Sequence, residues 1–339
     1  LRRLPRDLPL QGKVSLFGAA FPSLASGRCA RIRDYAAKAA VVVTAAAFAC
    51  LIEAALSGPA RAQAPGQTGD AGAVQRGEYI FTAAGCTSCH TDEKHKGAFL
   101  AGGVALATPF GTFYGPNITP DPTYGIGRWS EADFIQAVRE GKGPGGDLFP
   151  VFPFTSFTKM SDADVHDLWT YLKTVPPVAT PSKPHDVGFP FNLRIGQVFW
   201  KLLFFTSGRF QPDPAKTAEV NRGAYIVQAL SHCGECHTPR NMLGGTQTGK
   251  VLAGAAKGPD GHSVPNITPD AKTGIGKWSD GDIADVLKSG MTPDGDFVGG
   301  AMAEEVRNTT GKLTDADLRA VVAYLRSLPP IRNKVEDKD

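Results

Sequence analysis

Apolar residues along this chain fall into two continuous runs and a set of helix-length segments that occurs twice. The first run, over residues 39–52, follows Arg28, Arg31, Arg33 and Lys38 and precedes the small-residue motif Ala60-Arg61-Ala62. A basic region, an apolar core and small residues at a cleavage point make a secretory signal. The run is shorter than the roughly 20 residues that cross a bilayer. We therefore expect a signal peptide over 1–62, with translation starting beyond Leu1, cleavage near Ala62 or Ala64, a periplasmic destination and a linker over 63–75. The second run lies within 181–221 and is mostly apolar over 189–205. It predicts a segment covering the seam between the units on either side.

The repeated segments set the rest of the organisation. Arg76-Gly77-Glu78-Tyr79-Ile80 returns as Arg222-Gly223-Ala224-Tyr225-Ile226. Pro116-Asn117-Ile118-Thr119-Pro120-Asp121 returns as Pro265-Asn266-Ile267-Thr268-Pro269-Asp270, and Gly125-Ile126-Gly127-Arg128-Trp129-Ser130 as Gly274-Ile275-Gly276-Lys277-Trp278-Ser279. Each copy closes on a segment with helix boundaries: Ser161 or Thr314 as N-cap, aspartates in the first turn, and Pro176-Pro177 or Pro329-Pro330 as terminator. This predicts an all-α chain of two tandem units with long loops, at 76–180 and 222–332, and a charged tail over 333–339. Gly77 and Gly223 predict a close crossing of first and last helices beside Tyr171 and Tyr324, because glycine puts no side chain at the contact.

Cysteine usage decides the chemistry. Of six cysteines, Cys29 and Cys50 fall in the expected export segment. The other four stand as Cys86-Thr87-Ser88-Cys89-His90 and Cys233-Gly234-Glu235-Cys236-His237. C-x-x-C-H is the attachment signature of c-type haem. Thiols three positions apart on a helix share a face, where both form thioethers with one porphyrin and the next histidine reaches its iron. A zinc site would gather all four thiolates, and a thioredoxin-like pair would follow a strand. Neither explains a histidine in the same place twice. The expectation is two haem c groups, attached through Cys86, Cys89, Cys233 and Cys236, with His90 and His237 as iron ligands, in two tandem cytochrome c-type haem domains.

Charge excludes one class of partner. Residues 1–62 hold nine of the 36 Lys/Arg and three of the 33 Asp/Glu, so the remainder has 27 cations against 30 anions, a formal charge of −3. A mildly acidic chain that gains haem propionates has no footprint for nucleic acid.

Over 76–331 the chain resembles the multihaem cytochrome c subunits of bacterial membrane-associated dehydrogenases for alcohols, aldehydes, gluconate and nitrogen heterocycles. The Pro-Asn-Ile-Thr-Pro-Asp and Gly-Ile-Gly-x-Trp-Ser segments carry the likeness. Many members have three haem domains and a membrane-binding C-terminal tail, whereas this chain has two units and ends in charged residues. The resemblance implies a diheme electron carrier with no catalytic side chain of its own. Its donor would be a dehydrogenase catalytic subunit, and its acceptor a quinone, another cytochrome or an oxidase. The apolar run at 189–205 has a second reading, as a patch that docks on a dehydrogenase or membrane surface, with peripheral membrane association. The rival class is a diheme enzyme such as a peroxidase, which needs an open sixth position on one iron.

The sixth ligands separate the two classes, since a methionine opposite histidine raises the potential of an electron-transfer haem. Met302 resembles the family's ligand position, and Met291 reads as loop. Met242, too close to His237 to reach the far side of that ring, reads as packing. In the first unit, where relatives show methionine before proline, the chain has Phe152 before Pro153. Met160 is then the expected ligand, against His166, His95 or an open position, although its place before the N-cap Ser161 is also that of a hydrophobic staple. The carbonyls of Pro116 and Pro265 are expected to orient the two histidines. Asn117, Thr119, Asn266 and Thr268 read either as donors to haem propionates or as turn formers, and Trp129 and Trp278 as propionate donors or core.

Overall fold

The computed structural model describes residues 68–258 and 261–335. The expected signal peptide and its cleavage site lie outside the described residues. In chain order the first repeat runs α1 (Thr68–Ala83), α2 (Cys86–His90), β1 (Ala105–Thr108), β2 (Gly111–Tyr114), α3 (Glu131–Glu140), β3 (Lys142–Gly143), β4 (Gly146–Asp147), α4 (Phe154–Phe157) and α5 (Asp162–Leu172). The connection carries β5 (Asp186–Val187) and α6 (Ile195–Phe204). The second repeat runs α7 (Ala218–Tyr225), prolonged by a π-helical turn over Ile226–Leu230, then α8 (Gly234–His237), α9 (Asp280–Ser289), α10 (Gly300–Asn308) and α11 (Asp315–Ser327). No helix among the described residues is long and apolar enough to cross a membrane.

Local chemistry fixes the helix ends. Ser161 accepts from the Asp164 N–H at 3.0 Å and Thr314 from the Asp317 N–H at 3.2 Å, so both closing helices start where side-chain caps satisfy free backbone donors. Ser130 with Asp133 and Ser279 with Asp282 form capping boxes at the starts of α3 and α9. The shared Gly-Ile-Gly-x-Trp-Ser segments thus end on the serines that begin those helices.

In each repeat the first and last helices cross as the glycines predict. A Cβ on Gly77 would stand 2.0 Å from the Asp167 carbonyl oxygen and 2.8 Å from the Tyr171 Cβ. On Gly223 it would stand 1.8 Å from the Ala320 carbonyl oxygen and 2.8 Å from the Tyr324 Cβ. Only glycine permits that approach. Arg76 pins the first crossing to Asp167 at 2.6 Å, and Arg222 pins the second to Asp317 at 2.7 Å.

The repeats share a core. Ile80, Phe81 and Leu168 of the first belong to the same buried apolar cluster as Ile226, Leu230 and Leu325 of the second. Polar bonds cross the same boundary: Ser231 Oγ donates to the Ala83 carbonyl at 3.0 Å, and Thr155 and Ser156 of α4 donate to Glu235 at 2.7 and 3.0 Å.

The chain is helix-rich, as expected, and its long loops carry β1, β2 and β5 as an antiparallel three-stranded sheet over a small cluster of Phe113, Phe149 and Val187. The linker at 181–221 therefore starts inside the first repeat, through the β5 pairing and through Ser182, which accepts from the Asn117 N–H. The tail at 333–339 also starts inside the fold: Asn333 Nδ2 donates to the Ala253 carbonyl at 2.9 Å, and its N–H donates to Thr273 Oγ1.

Candidate haem sites

Each C-x-x-C-H segment forms a single short helix against the shared core. In α2, Gly85 in the left-handed conformation (φ 62°) turns the chain directly into Cys86. The π-helical turn over Ile226–Leu230 leads into Cys233 and α8. Cys86 and Cys233 pack on the apolar core. Burial pushes the thiols of Cys86, Cys89 and Cys233 up to about 12. Among the described residues, no group of three or more His, Cys, Asp or Glu side chains is arranged to hold a metal ion.

The two histidines have the same environment. His90 Nδ1 lies 2.8 Å from the Pro116 carbonyl, and His237 Nδ1 lies 2.8 Å from the Pro265 carbonyl. The carbonyl accepts, so Nδ1 carries the proton and Nε2 keeps its lone pair for iron. Burial lowers the pKa of both rings against the opposing effect of those carbonyls, which keeps them neutral. Neutral, oriented imidazoles beside apolar-packed thiols fit the donor set of two haem c groups.

The loops behind the histidines repeat bond for bond. Thr91 Oγ1 accepts from the Leu100 N–H and Thr238 Oγ1 from the Leu252 N–H, each at 3.0 Å. The Gly102 N–H donates to the His90 carbonyl at 2.8 Å and the Gly254 N–H to the His237 carbonyl at 2.7 Å. A Cβ on Gly102 would stand 2.6 Å from the Pro116 carbonyl carbon, and one on Gly254 would stand 2.8 Å from that of Pro265. These positioning residues were not singled out from sequence. Their signal was there, in the threonine after each C-x-x-C-H and in the repeated Leu-Ala-Gly at 100–102 and 252–254.

Asn117, Thr119, Asn266 and Thr268 are turn formers. Asn117 Nδ2 donates to the carbonyls of Val178 and Thr180, and its Oδ1 accepts from both donors of Thr119. Asn266 Nδ2 donates to Ile331 and Thr273, and its Oδ1 accepts from both donors of Thr268. All four are at most 3% exposed, and the Asn117 and Asn266 amides tie their loops to the chain after the closing helix at Val178, Thr180 and Ile331. Trp129 and Trp278 pack, partly buried, against the core.

The distal candidates divide. Met302 lies half-buried in α10, which rests on α2 of the other repeat. Met160 is fully enclosed in the core, where its counterpart Leu313 is 2% exposed. The matching leucine fits the staple role that the sequence also offers for Met160. His95 and His166 are surface residues bonded to Asp92 and Glu131. Met242, expected to pack, is 94% exposed, and Met291 is in an exposed loop.

The family model for cytochrome c matches residues 74–176 and 220–329. A diheme cytochrome c-type protein of Cereibacter sphaeroides is 47% identical over 276 residues, covering 78% of this chain and 88% of that protein. The cytochrome subunit of fructose dehydrogenase from Gluconobacter japonicus is 41% identical over 76% of this chain and 52% of its own length. The cytochrome c subunit of a quinone-dependent alcohol dehydrogenase from Gluconacetobacter polyoxogenes is 40% identical over 86% of this chain and 62% of its own. The chain thus spans only about half to three-fifths of those two dehydrogenase subunits. Two matched segments, each built around one oriented histidine and one cysteine pair, make this chain a member of the cytochrome c family that carries two haem c groups.

Proposed function

We propose that this chain is an exported diheme electron carrier that works in the periplasm, taking electrons one at a time from the catalytic subunit of a dehydrogenase. It hands them to another cytochrome, a quinone or an oxidase. A bound haem supplies one-electron chemistry, and the protein's part is to hold, tune and shield it. Cys86 and Cys89 carry the first haem and Cys233 and Cys236 the second. His90 and His237 would bind the first and second irons, and Met302 would also bind the second.

The observation that carries this reading is the matched pair of histidine–proline carbonyl bonds, both 2.8 Å, each beside a half-buried cysteine pair. Such duplication serves two cofactors of one kind. The dehydrogenase partner is supported by the names of the relatives. The test is a redox titration of the mature holoprotein. A carrier takes up two electrons in one-electron steps, reduces a second cytochrome c, and leaves hydrogen peroxide unconsumed. Turnover of peroxide would put the diheme enzyme in its place.

A further inference from the structure

A cavity of about 650 Å³ opens where the connection between the repeats, at 206–216, lies over α7 and the end of α11. None of its lining residues belongs to either C-x-x-C-H segment. Its volume falls within the range of about 300–1,000 Å³ that small-molecule sites occupy.

Two donors meet at one end. Lys159 reaches in from the first repeat, and among the described residues its Nζ meets one hydrogen-bond acceptor, Gln228 Oε1 at 3.4 Å, and forms no ion pair. Glu235, whose charge acts on it, is itself taken up by Thr155, Ser156 and Arg240. Burial lowers the Lys159 pKa, as it does for an ammonium with too little counter-charge. From the second repeat, the Tyr324 hydroxyl accepts from Gln228 Nε2 at 2.8 Å. Tyr324 is 9% exposed, and no acceptor among the described residues takes its proton. One amide thus touches both Lys159 and Tyr324, which sets their donors side by side.

This pair is not part of the duplicated haem machinery. Lys312, the counterpart of Lys159, is exposed. Thr82 stands where the second repeat has Gln228, and it donates to the Glu78 carbonyl within its own helix. What encloses Lys159 is the connection: the Phe210 N–H donates to the Lys159 carbonyl at 3.0 Å, and the Gly208 N–H to Thr158 Oγ1 at 3.2 Å. Enclosing an ammonium beside one neutral amide costs free energy that a bound anion would offset.

The rest of the wall selects the anion. Phe210, Val220, Leu328 and Pro329 make it largely apolar. Arg209 is already paired with Asp162, and Asp213 accepts from the Ala215 N–H in its own loop. A carboxylate has two oxygens, one for each donor, and an apolar body would cover the remaining wall. We propose that this cavity binds a small organic monocarboxylate, held through its carboxylate by Lys159 and Tyr324 and through its apolar body by Phe210, Val220 and Leu328. The inference goes beyond the electron-carrier reading and does not depend on it.

Isothermal titration calorimetry of the mature holoprotein with benzoate and with hexanoate tests this. Benzyl alcohol supplies the ring without the charge, and inorganic phosphate the charge without an apolar body. At least one of the two carboxylates should bind at one site per chain, about tenfold or more tightly than either control. Lys159→Met, which keeps the side chain's length and removes its charge, should weaken that carboxylate about tenfold or more, the loss of a bond to a charged group. Tyr324→Phe should weaken it about fivefold, and carries the test if Lys159→Met does not fold. Haem spectra unchanged in a variant show that its fold is kept. A wild type that binds neither carboxylate overturns the proposal, as do variants that both bind at wild-type affinity. Benzyl alcohol or phosphate bound as tightly as the carboxylate also overturns it, since the charge or the apolar body would then contribute nothing.

Discussion

The Tyr79 hydroxyl donates to the Asp317 carboxylate at 2.6 Å, joining α1 of the first repeat to α11 of the second. Tyr225, its counterpart, donates to Asp164 at the start of α5 in the opposite direction. The N–H groups of Ser161 and Thr314, the two N-caps, reach the same hydroxyls at 2.9 and 3.3 Å. Each repeat thus adds a bond to the start of the other's closing helix, beside the cap and the ion pair that its own repeat supplies.

Removing either hydroxyl leaves a part-buried aspartate short of a donor. Tyr79→Phe and Tyr225→Phe should each lower stability by about 1.5–3 kcal/mol, the range for a hydrogen bond to a charged group. Denaturant unfolding followed at the haem absorbance and by circular dichroism checks this. If the repeats are interlocked, both probes report one shared transition in each variant. Two separate transitions would mean that the repeats fold independently.

Asp317 also predicts a pH dependence. Burial alone would raise its pKa, but the Arg222 guanidinium and the Tyr79 hydroxyl outweigh burial and hold the carboxyl below the usual carboxylate range. A carboxyl depressed in the folded state contributes stability that is complete above its unfolded value, near about pH 4. That contribution is lost as the pH falls through the lower folded value. Asp317→Asn should therefore be less stable than wild type at neutral pH, with the gap closing in acid. A gap independent of pH would assign the loss to packing.

Met160→Leu copies the residue found at Leu313. It should cost less than about 1.5 kcal/mol, the tolerance for a volume-conserving core exchange, and leave the visible and EPR spectra of both haems unchanged. Met302→Ala should alter the spectrum of one haem only. Loss of a low-spin signal in Met160→Leu would restore Met160 as a ligand of the first iron.

Glu305 lies one turn after Met302 and reaches the first site: a Cβ on Gly85 would stand 3.5 Å from its Oε2. Its charge helps push up the thiols of both Cys89 and Cys233. A carboxylate beside both attachment points favours ferric iron at each. Glu305→Gln should raise both midpoint potentials, by an amount on the order of 60 mV, about one decade in a one-electron equilibrium. A shift at one haem alone would show that the carboxylate serves only one site.

What could be read in the sequence was local. Cys86 through His90 spell out their chemistry within five residues. The caps Ser161 and Thr314 lie next to the helices they start, and Gly77 announces a close crossing because its missing side chain has one structural use. What escaped depended on partners far along the chain. Nothing near Tyr79 names Asp317, 238 positions away, and nothing near Asn117 shows that Val178 and Thr180 take both its donors. Met160 reads two ways in the sequence because methionine is both an iron ligand and a good core residue, and its burial at the position matched by Leu313 supports the second. The strand β5 was missed because two residues carry too little pattern to register.

The account turns on two haems held by two cysteine pairs in one chain. Intact mass and alkaline pyridine haemochrome assays of the mature protein measure that directly, together with the variants Cys86→Ala, Cys89→Ala and Cys233→Ala, Cys236→Ala. The prediction is two covalent haems per chain in wild type and one in each variant, with one of the two reduction steps missing each time. A wild-type chain with a single haem, or a variant that keeps both, would contradict it.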